Sequence, residues 1–288
     1  MTFAKMPDCP ICRSGNVRYL FRADNLAYDR FLDLSRKKYR GAMNAWVEGI
    51  SLDVLSCNIC QHIWHAEFPC LEELSVMYTS SKAIDSSKRL TEPSYRMLYE
   101  MGLLKRMIRQ RPDGGKPRLL DYGAGFGMWA RAAVSAGFDV VAFEPSLERV
   151  DSLGIEFAYR CVNNIEHLEG EKFDAINCEQ VLEHVGDPVA VLETFRRLSG
   201  LSAAIRIAVP NTSILLRSGE GLQSFPFDGE RPHLLSPYEH LHGFTPRSFN
   251  WMIRSVGLRK SLSVLRYAPK QWLRMMVPNT FFLGRFAA

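Results

Sequence analysis

The segment from Arg118 to Glu144 restricts this 288-residue chain more than any other part of it. Arg118-Leu119-Leu120-Asp121-Tyr122 reads as a short buried strand and runs into Gly123-Ala124-Gly125-Phe126-Gly127. Met128 to Val134 opens a helix that Gly137 ends, and Phe138 to Phe143 is a second strand finishing on Glu144. Strand, glycine turn, helix, strand and acid make a nucleotide-binding unit. The glycines let the backbone approach a ligand closely, and an acid after the second strand can accept both hydroxyls of a ribose.

The nucleotide class narrows by exclusion. A dinucleotide fingerprint starting at Gly123 needs glycine or alanine where Met128 stands, and no Gly-Lys-Ser/Thr marks a phosphate loop. A second motif lies downstream. Phe173 to Cys178 reads as a buried strand and leads into Glu179-Gln180-Val181-Leu182-Glu183-His184-Val185. Asp187 is placed to cap a helix beginning at Pro188, with an apolar face of Val191, Leu192, Phe195 and Leu198. Leu201 to Val209 is a further strand.

Asp-x-Gly-x-Gly-x-Gly, with an acid twenty-one residues after Gly123, resembles the first two motifs of class I S-adenosylmethionine-dependent methyltransferases. Val-Leu-Glu-His-Val and His240-Leu241-His242-Gly243-Phe244 resemble small-molecule members, such as quinone-precursor and sugar methyltransferases. The resemblance covers about residues 116 to 288. It implies an α/β, Rossmann-like, mostly parallel sheet, with Asn279 to Phe286 as its antiparallel last strand. It also implies that Asp121, Gly123, Gly125, Gly127 and Glu144 contact the donor, that Asn163 or Asn164 meets the adenine, and that Glu179 and Gln180 line the pocket mouth.

Ahead of this domain, Cys9-Pro10-Ile11-Cys12 and Cys57-Asn58-Ile59-Cys60 are two knuckles separated by 44 residues. Two such pairs complete the tetrahedron of thiolates that zinc prefers in closed structural sites. A Zn2+ ribbon held by Cys9, Cys12, Cys57 and Cys60 is therefore expected, with His62 and His65 outside the shell or on the surface. Such a ribbon ahead of the domain resembles the sugar C-methyltransferases. The divisions expected are a ribbon over 1–70, a helical linker over 71–115 and the methyltransferase domain over 116–288.

Composition sets the class. No segment approaches the roughly eighteen apolar residues of a membrane span or secretory signal, so a cytoplasmic protein is expected. Seven cysteines, four of them in paired knuckles, fit a reducing compartment better than a disulfide framework. The formal charge of +5 is uneven: residues 241–288 carry +8 in side chains and no acid. That stretch offers arginines to an anionic partner. The basic run Arg36-Lys37-Lys38-Tyr39-Arg40, between the knuckles, reads as a solvated helix face.

A donor sulfonium is already electrophilic, so the protein mainly aligns the reactants, and a hydroxyl or activated-carbon acceptor also needs a base. His184, His233, His240 and His242 are candidates, with Tyr238 as a helper; His184 and His240 match the family positions best. The acceptor expected is a small anionic molecule such as a nucleotide-linked sugar or glycan intermediate. RNA methylation is the competing enzyme reading, disfavoured because Glu179-Gln180-Val181-Leu182 stands where the Asn/Asp-Pro-Pro-aromatic signature belongs. A donor-binding scaffold with a partner-docking ribbon is the non-enzyme alternative.

Overall fold

A computed structural model describes residues 3–47, 49–70, 92–108, 111, 113–146, 149, 159–218, 222, 225–228, 231–260 and 279–287. The chain divides into two compact units. One comprises Met1–Ile84, Leu182–Val189 and Val209–Met252; the other comprises Asp85–Val181, Ala190–Ala208 and Ile253–Ala288. The expected linker residues 71–91 and the basic side chains Arg266, Lys270 and Arg274 lie outside the described residues.

The first unit opens with strands β1 (Phe3–Lys5) and β2 (Val17–Phe21), followed by helix α1 (Asn25–Tyr39). Asp24 caps α1 by accepting a hydrogen bond from the Ala27 amide, and Arg40 ends it in the left-handed region. Strands β3 (Val54–Cys57), β4 (Ile63–His65) and β5 (Glu67–Pro69) follow. β2, β3 and β4 form an antiparallel sheet, and β5 pairs with β1. The core joins α1 to later residues: Phe31, Leu34, Tyr39 and Trp46 pack in one cluster with Phe225, Leu235 and Tyr238.

The second unit begins with α2 (Tyr95–Arg106), β6 (Arg118–Tyr122), α3 (Met128–Ser135), β7 (Asp139–Phe143), β8 (Arg160–Val162) and β9 (Phe173–Glu179). Helix α4 (Pro188–Leu198) and strand β10 (Ser199–Pro210) follow. The Asp187 carboxylate accepts the Val189 amide at 2.9 Å, the cap expected for α4. Further along the chain come α5 (Ile214–Ser218), the hairpin strands β11 (Phe227–Asp228) and β12 (Arg231–Pro232), β13 (His242–Gly243) and α6 (Pro246–Ser255). Strands β14 (Leu258–Lys260) and β15 (Asn279–Phe286) close the list.

A seven-stranded sheet runs β14-β15-β10-β9-β6-β7-β8. Its five central and right-hand strands pair in parallel, and the last strand, β15, runs antiparallel to β14. This is the Rossmann-like sheet expected. β6 and β9 are buried along most of their length, so Leu119-Leu120 and Ala175-Ile176 are apolar on both faces without alternation. α3 turns Trp129, Ala130, Ala132 and Ala133 into the core, where they cluster with Leu119, Val140 and Ala175.

The compact units do not follow the sequence divisions at residues 70 and 115. The reason is pairing: β13 adds antiparallel to β4, with His242 opposite Trp64, so residues of the 240s join the cysteine-bearing sheet.

Candidate functional site

In the second unit, the turn after β6 is built by backbone strain that glycine alone relieves. Gly123 has φ +74°, and a Cβ there would lie 2.4 Å from a Val181 methyl carbon. The amides of Gly123 and Ala124 both donate to the Phe143 carbonyl, tying the turn to the end of β7. Gly125, at φ +56°, has no heavy atom within 4 Å of the place a Cβ would take. Gly127 is the left-handed N-cap of α3.

Glu144 follows β7 and is buried. One carboxylate oxygen accepts the Gly125 amide at 2.8 Å, the other the Ser146 amide at 3.1 Å, and Arg149 stands 3.7 Å away. Each oxygen keeps further acceptor capacity. Asp121 is also buried. Burial pushes its carboxyl up to about 6, against the opposing hydrogen bond from Asn177 at 2.6 Å and the charge of Arg206.

The sequence reading missed the side chains that organise this end of the sheet. Arg206, fully buried on β10, donates to Glu100 at 2.7 Å, Asn177 at 2.7 Å and Glu179 at 2.6 Å. Arg96 reaches Glu100 at 2.8 Å and Glu179 at 3.1 Å. The Arg206 guanidinium lies 3.9 Å from the centre of the Trp129 ring. A signal was present: an arginine between Ile205 and Ile207 in a buried strand has to find carboxylates.

Both oxygens of Glu179 are thus occupied by arginines. Gln180 differs. Its backbone adopts φ +55°, its amide donates to Ala208 at 2.8 Å, and its buried Nε2 has no hydrogen-bond partner among the described residues. Asn164 is exposed and spends its side chain locally, accepting the Glu166 amide at 2.9 Å to cap a short 3-10 turn.

In the first unit, the structure brings His184 and His240 together, with ring centres 4.8 Å apart, edge to face. The Nδ1 of His184 meets the Glu239 carbonyl, and that of His240 meets the Leu234 carbonyl at 2.7 Å. Nδ1–H donation to a carbonyl leaves the imidazole lone pair on Nε2. A Glu183 oxygen lies 3.8 Å from His184 Nε2. Burial pushes His240 below its ordinary value, against the opposing pull of Glu239.

The other candidates are parts of the core. Tyr238, expected as a helper, is fully buried, and its ring packs against Phe31, Trp46 and His65. Its φ of +61° turns the chain so that this ring enters the core next to Glu239. His233 accepts the Leu235 amide, and His242 is buried against His62 at 3.1 Å. His62 and His65 are fully buried, so of the two positions expected for them, outside the shell or on the surface, the surface one is overturned. The cause is β4, which carries His65 into the sheet and stacks Trp64 on His62.

The four knuckle cysteines converge. Their sulfurs all lie within 4.8 Å of one another, with Cys9–Cys60 and Cys12–Cys57 at 3.5 Å. Close thiols compete for protons: the hydrogen bond from Cys60 lowers Cys9 to about 6, whereas burial raises Cys12 to about 11. The amides of Ile59 and Cys60 point at the Cys57 sulfur, as thiolates favour. Among the described residues, no helix is long and apolar enough to cross a membrane.

A methyltransferase-domain family model matches residues 95–261. The ubiquinone biosynthesis O-methyltransferase of Actinobacillus pleuropneumoniae serotype 7 (strain AP76) is 32% identical over 106 residues, covering 32% of this chain and 45% of that protein. The enzyme of the same name from Xylella fastidiosa (strain M23) is 38% identical over 101 residues, covering 32% and 41%. The chain therefore spans less than half the length of these curated relatives. Two solved structures share the fold. The plantazolicin methyltransferase BpumL, in complex with SAH, is 16% identical at a TM-score of 0.51, covering 74% of this chain and 94% of that one. The Burkholderia thailandensis 1,6-didemethyltoxoflavin-N1-methyltransferase is 16% identical at 0.52, covering 80% and 98%.

Proposed function

We propose that this chain, which belongs to the class I S-adenosylmethionine-dependent methyltransferase family, methylates a small anionic acceptor, a nucleotide-linked sugar or glycan intermediate, with His184 or His240 as base. The observation that carries the base assignment is the anchoring of both rings by Nδ1 on backbone carbonyls, which presents Nε2 as the proton acceptor.

The residues of the second unit fit the donor. Gln180 Nε2 is a buried donor lacking an acceptor, Gly125 leaves open space, and Glu144 presents a carboxylate with spare acceptor capacity. When bound, S-adenosylmethionine supplies the electrophilic methyl group. Glu144 would hold the ribose, the turn at Gly123, Gly125 and Gly127 would underlie the methionine part, and Gln180 would donate to a polar atom of the donor. Asp121, which accepts from Asn177, would add a contact to the donor. The carboxylate of Glu179 balances Arg96 and Arg206, and Asn164 would meet the adenine. In the first unit, Cys9, Cys12, Cys57 and Cys60 would hold one structural Zn2+, their converging sulfurs matching a closed thiolate shell.

Methyl-labelled donor offered with a panel of nucleotide-linked sugars, and separately with RNA, tests the acceptor. Label is expected in a small molecule. On that acceptor, His184→Ala or His240→Ala should retain donor affinity and lose about 10²–10⁴ in rate. Normal turnover in both variants would remove the base assignment. Label entering RNA alone would overturn the acceptor class.

A further inference from the structure

The basic run at the end of α1 divides on inspection. Lys37 is exposed and pairs with Asp33 one helical turn away, as a solvated face should. Lys38 and Tyr39 behave differently. Tyr39 is buried, its hydroxyl donating to a Glu239 oxygen at 2.6 Å, and the Lys38 ammonium reaches the same oxygen at 2.5 Å. Two neighbouring side chains of one helix therefore converge on one atom of a residue some two hundred positions away.

Glu239 is where the histidine pair is hung. Its carbonyl accepts from His184, and it immediately precedes His240. A carboxylate held by an ammonium and a phenol cannot swing, so the peptide that carries both rings is fixed with it. We propose that Lys38 and Tyr39 are positioning residues for the His184–His240 pair, fixing Glu239 and setting the charge beside His240. This rests on the reading of that pair as the acid–base centre. The helix inserted between the cysteine knuckles then has a task in the chemistry besides its part in the core.

The charge argument gives a sign. Facing His240 are Glu239 from its own loop, Lys38 from α1, His184 and Glu183 from the segment after β9, and His65 from β4. Burial and Lys38 favour the neutral ring, whereas Glu239 and the Leu234 carbonyl favour the charged one. Glu239 itself is held down at about 2: burial opposes this, but Lys38, His240 and the two hydrogen bonds outweigh it. Removing the ammonium leaves the carboxylate unbalanced, so His240 should take up a proton more readily.

Proton NMR titration of the histidine rings in the full zinc-loaded chain tests this without any acceptor, using His240→Asn to assign the signal. In Lys38→Met the His240 midpoint should rise by about one pH unit, and Lys38→Arg should restore it. Tyr39→Phe should disturb the His184 signal with little change in the His240 midpoint. Donor affinity should be unchanged throughout. If Lys38→Met does not fold, Lys38→Gln, which keeps a donor of similar reach, should show the same rise. A native-like Lys38→Met or Lys38→Gln protein with the wild-type His240 midpoint would overturn the proposal. A shifted midpoint, together with normal turnover in the His184 and His240 variants, would instead sink the base assignment and leave the charge coupling standing.

Discussion

In the unit that carries the seven-stranded sheet, buried charge is kept as charge: Arg206 is fully buried between Glu100 and Glu179, with Arg96 closing the group. In the unit that carries the cysteines, burial pushes the imidazoles of His62, His65 and His242 toward the neutral form. His65 and His242 are each pushed down to about 4. Glu239, half-buried in the same unit, receives the Lys38 ammonium. The contrast matches the roles proposed for the two units. A donor cradle has to be rigid, and a bidentate guanidinium that ties a helix to two strands supplies that rigidity. A proton acceptor has to keep a lone pair at neutral pH, which burial of an imidazole secures.

Removing the metal should split the two units most widely. The chain should hold about one zinc, and structural zinc in small modules contributes apparent binding free energies of roughly 10–16 kcal/mol. In Cys57→Ser, zinc should be lost and hydrogen exchange should accelerate over β2, β3 and β4, while β6 and β9 stay protected. Undiminished zinc in that variant would refute the four-thiolate site.

The next effect is on the other side of the comparison. Arg206→Ala leaves Glu100 and Glu179 with Arg96 alone to balance them, and breaking a buried ion group in this way typically costs about 3–5 kcal/mol. Chemical denaturation should register that loss. A variant as stable as wild type would mean that the buried group is not the rigid element described here.

The smallest change concerns the ligand alone. Glu144→Ala should weaken S-adenosylmethionine by roughly 2–3 kcal/mol, about thirty- to a hundredfold, with the fold intact. Wild-type affinity by calorimetry would take Glu144 out of the site and leave the glycine turn and Gln180 to account for binding.

These residues also mark how far the chain could be read before its structure was known. The strand, turn and helix around Asp121 to Val134, the acid at Glu144 and the cap at Asp187 were legible because each is specified by neighbours within one supersecondary unit. A Cβ at Gly123 is excluded by its own positive φ as well as by Val181. The two knuckles were legible for the same reason: each thiolate pair is a local turn, and two pairs suffice to name the chemistry. Arg206 was half-legible. Its place in an apolar strand demanded a partner, but nothing local pointed to Glu100 on α2.

What tertiary structure decided is the company of the histidines. His184, His240, Glu239, Lys38 and Tyr39 come from three separated stretches, and no periodicity relates them. The same holds for Tyr238, expected as a helper, whose left-handed backbone sends its ring into the core. Sequence by itself determined the sheet, the glycine turn and the paired cysteines, because φ/ψ preference, apolar periodicity and ligand spacing act over a few residues. Only the pairing of β13 with β4 and the packing of α1 against the Tyr238 region chose which imidazoles are buried neutral and which is given a charged neighbour. Electrostatic environment is a property of everything within a few ångströms, whatever its distance along the chain.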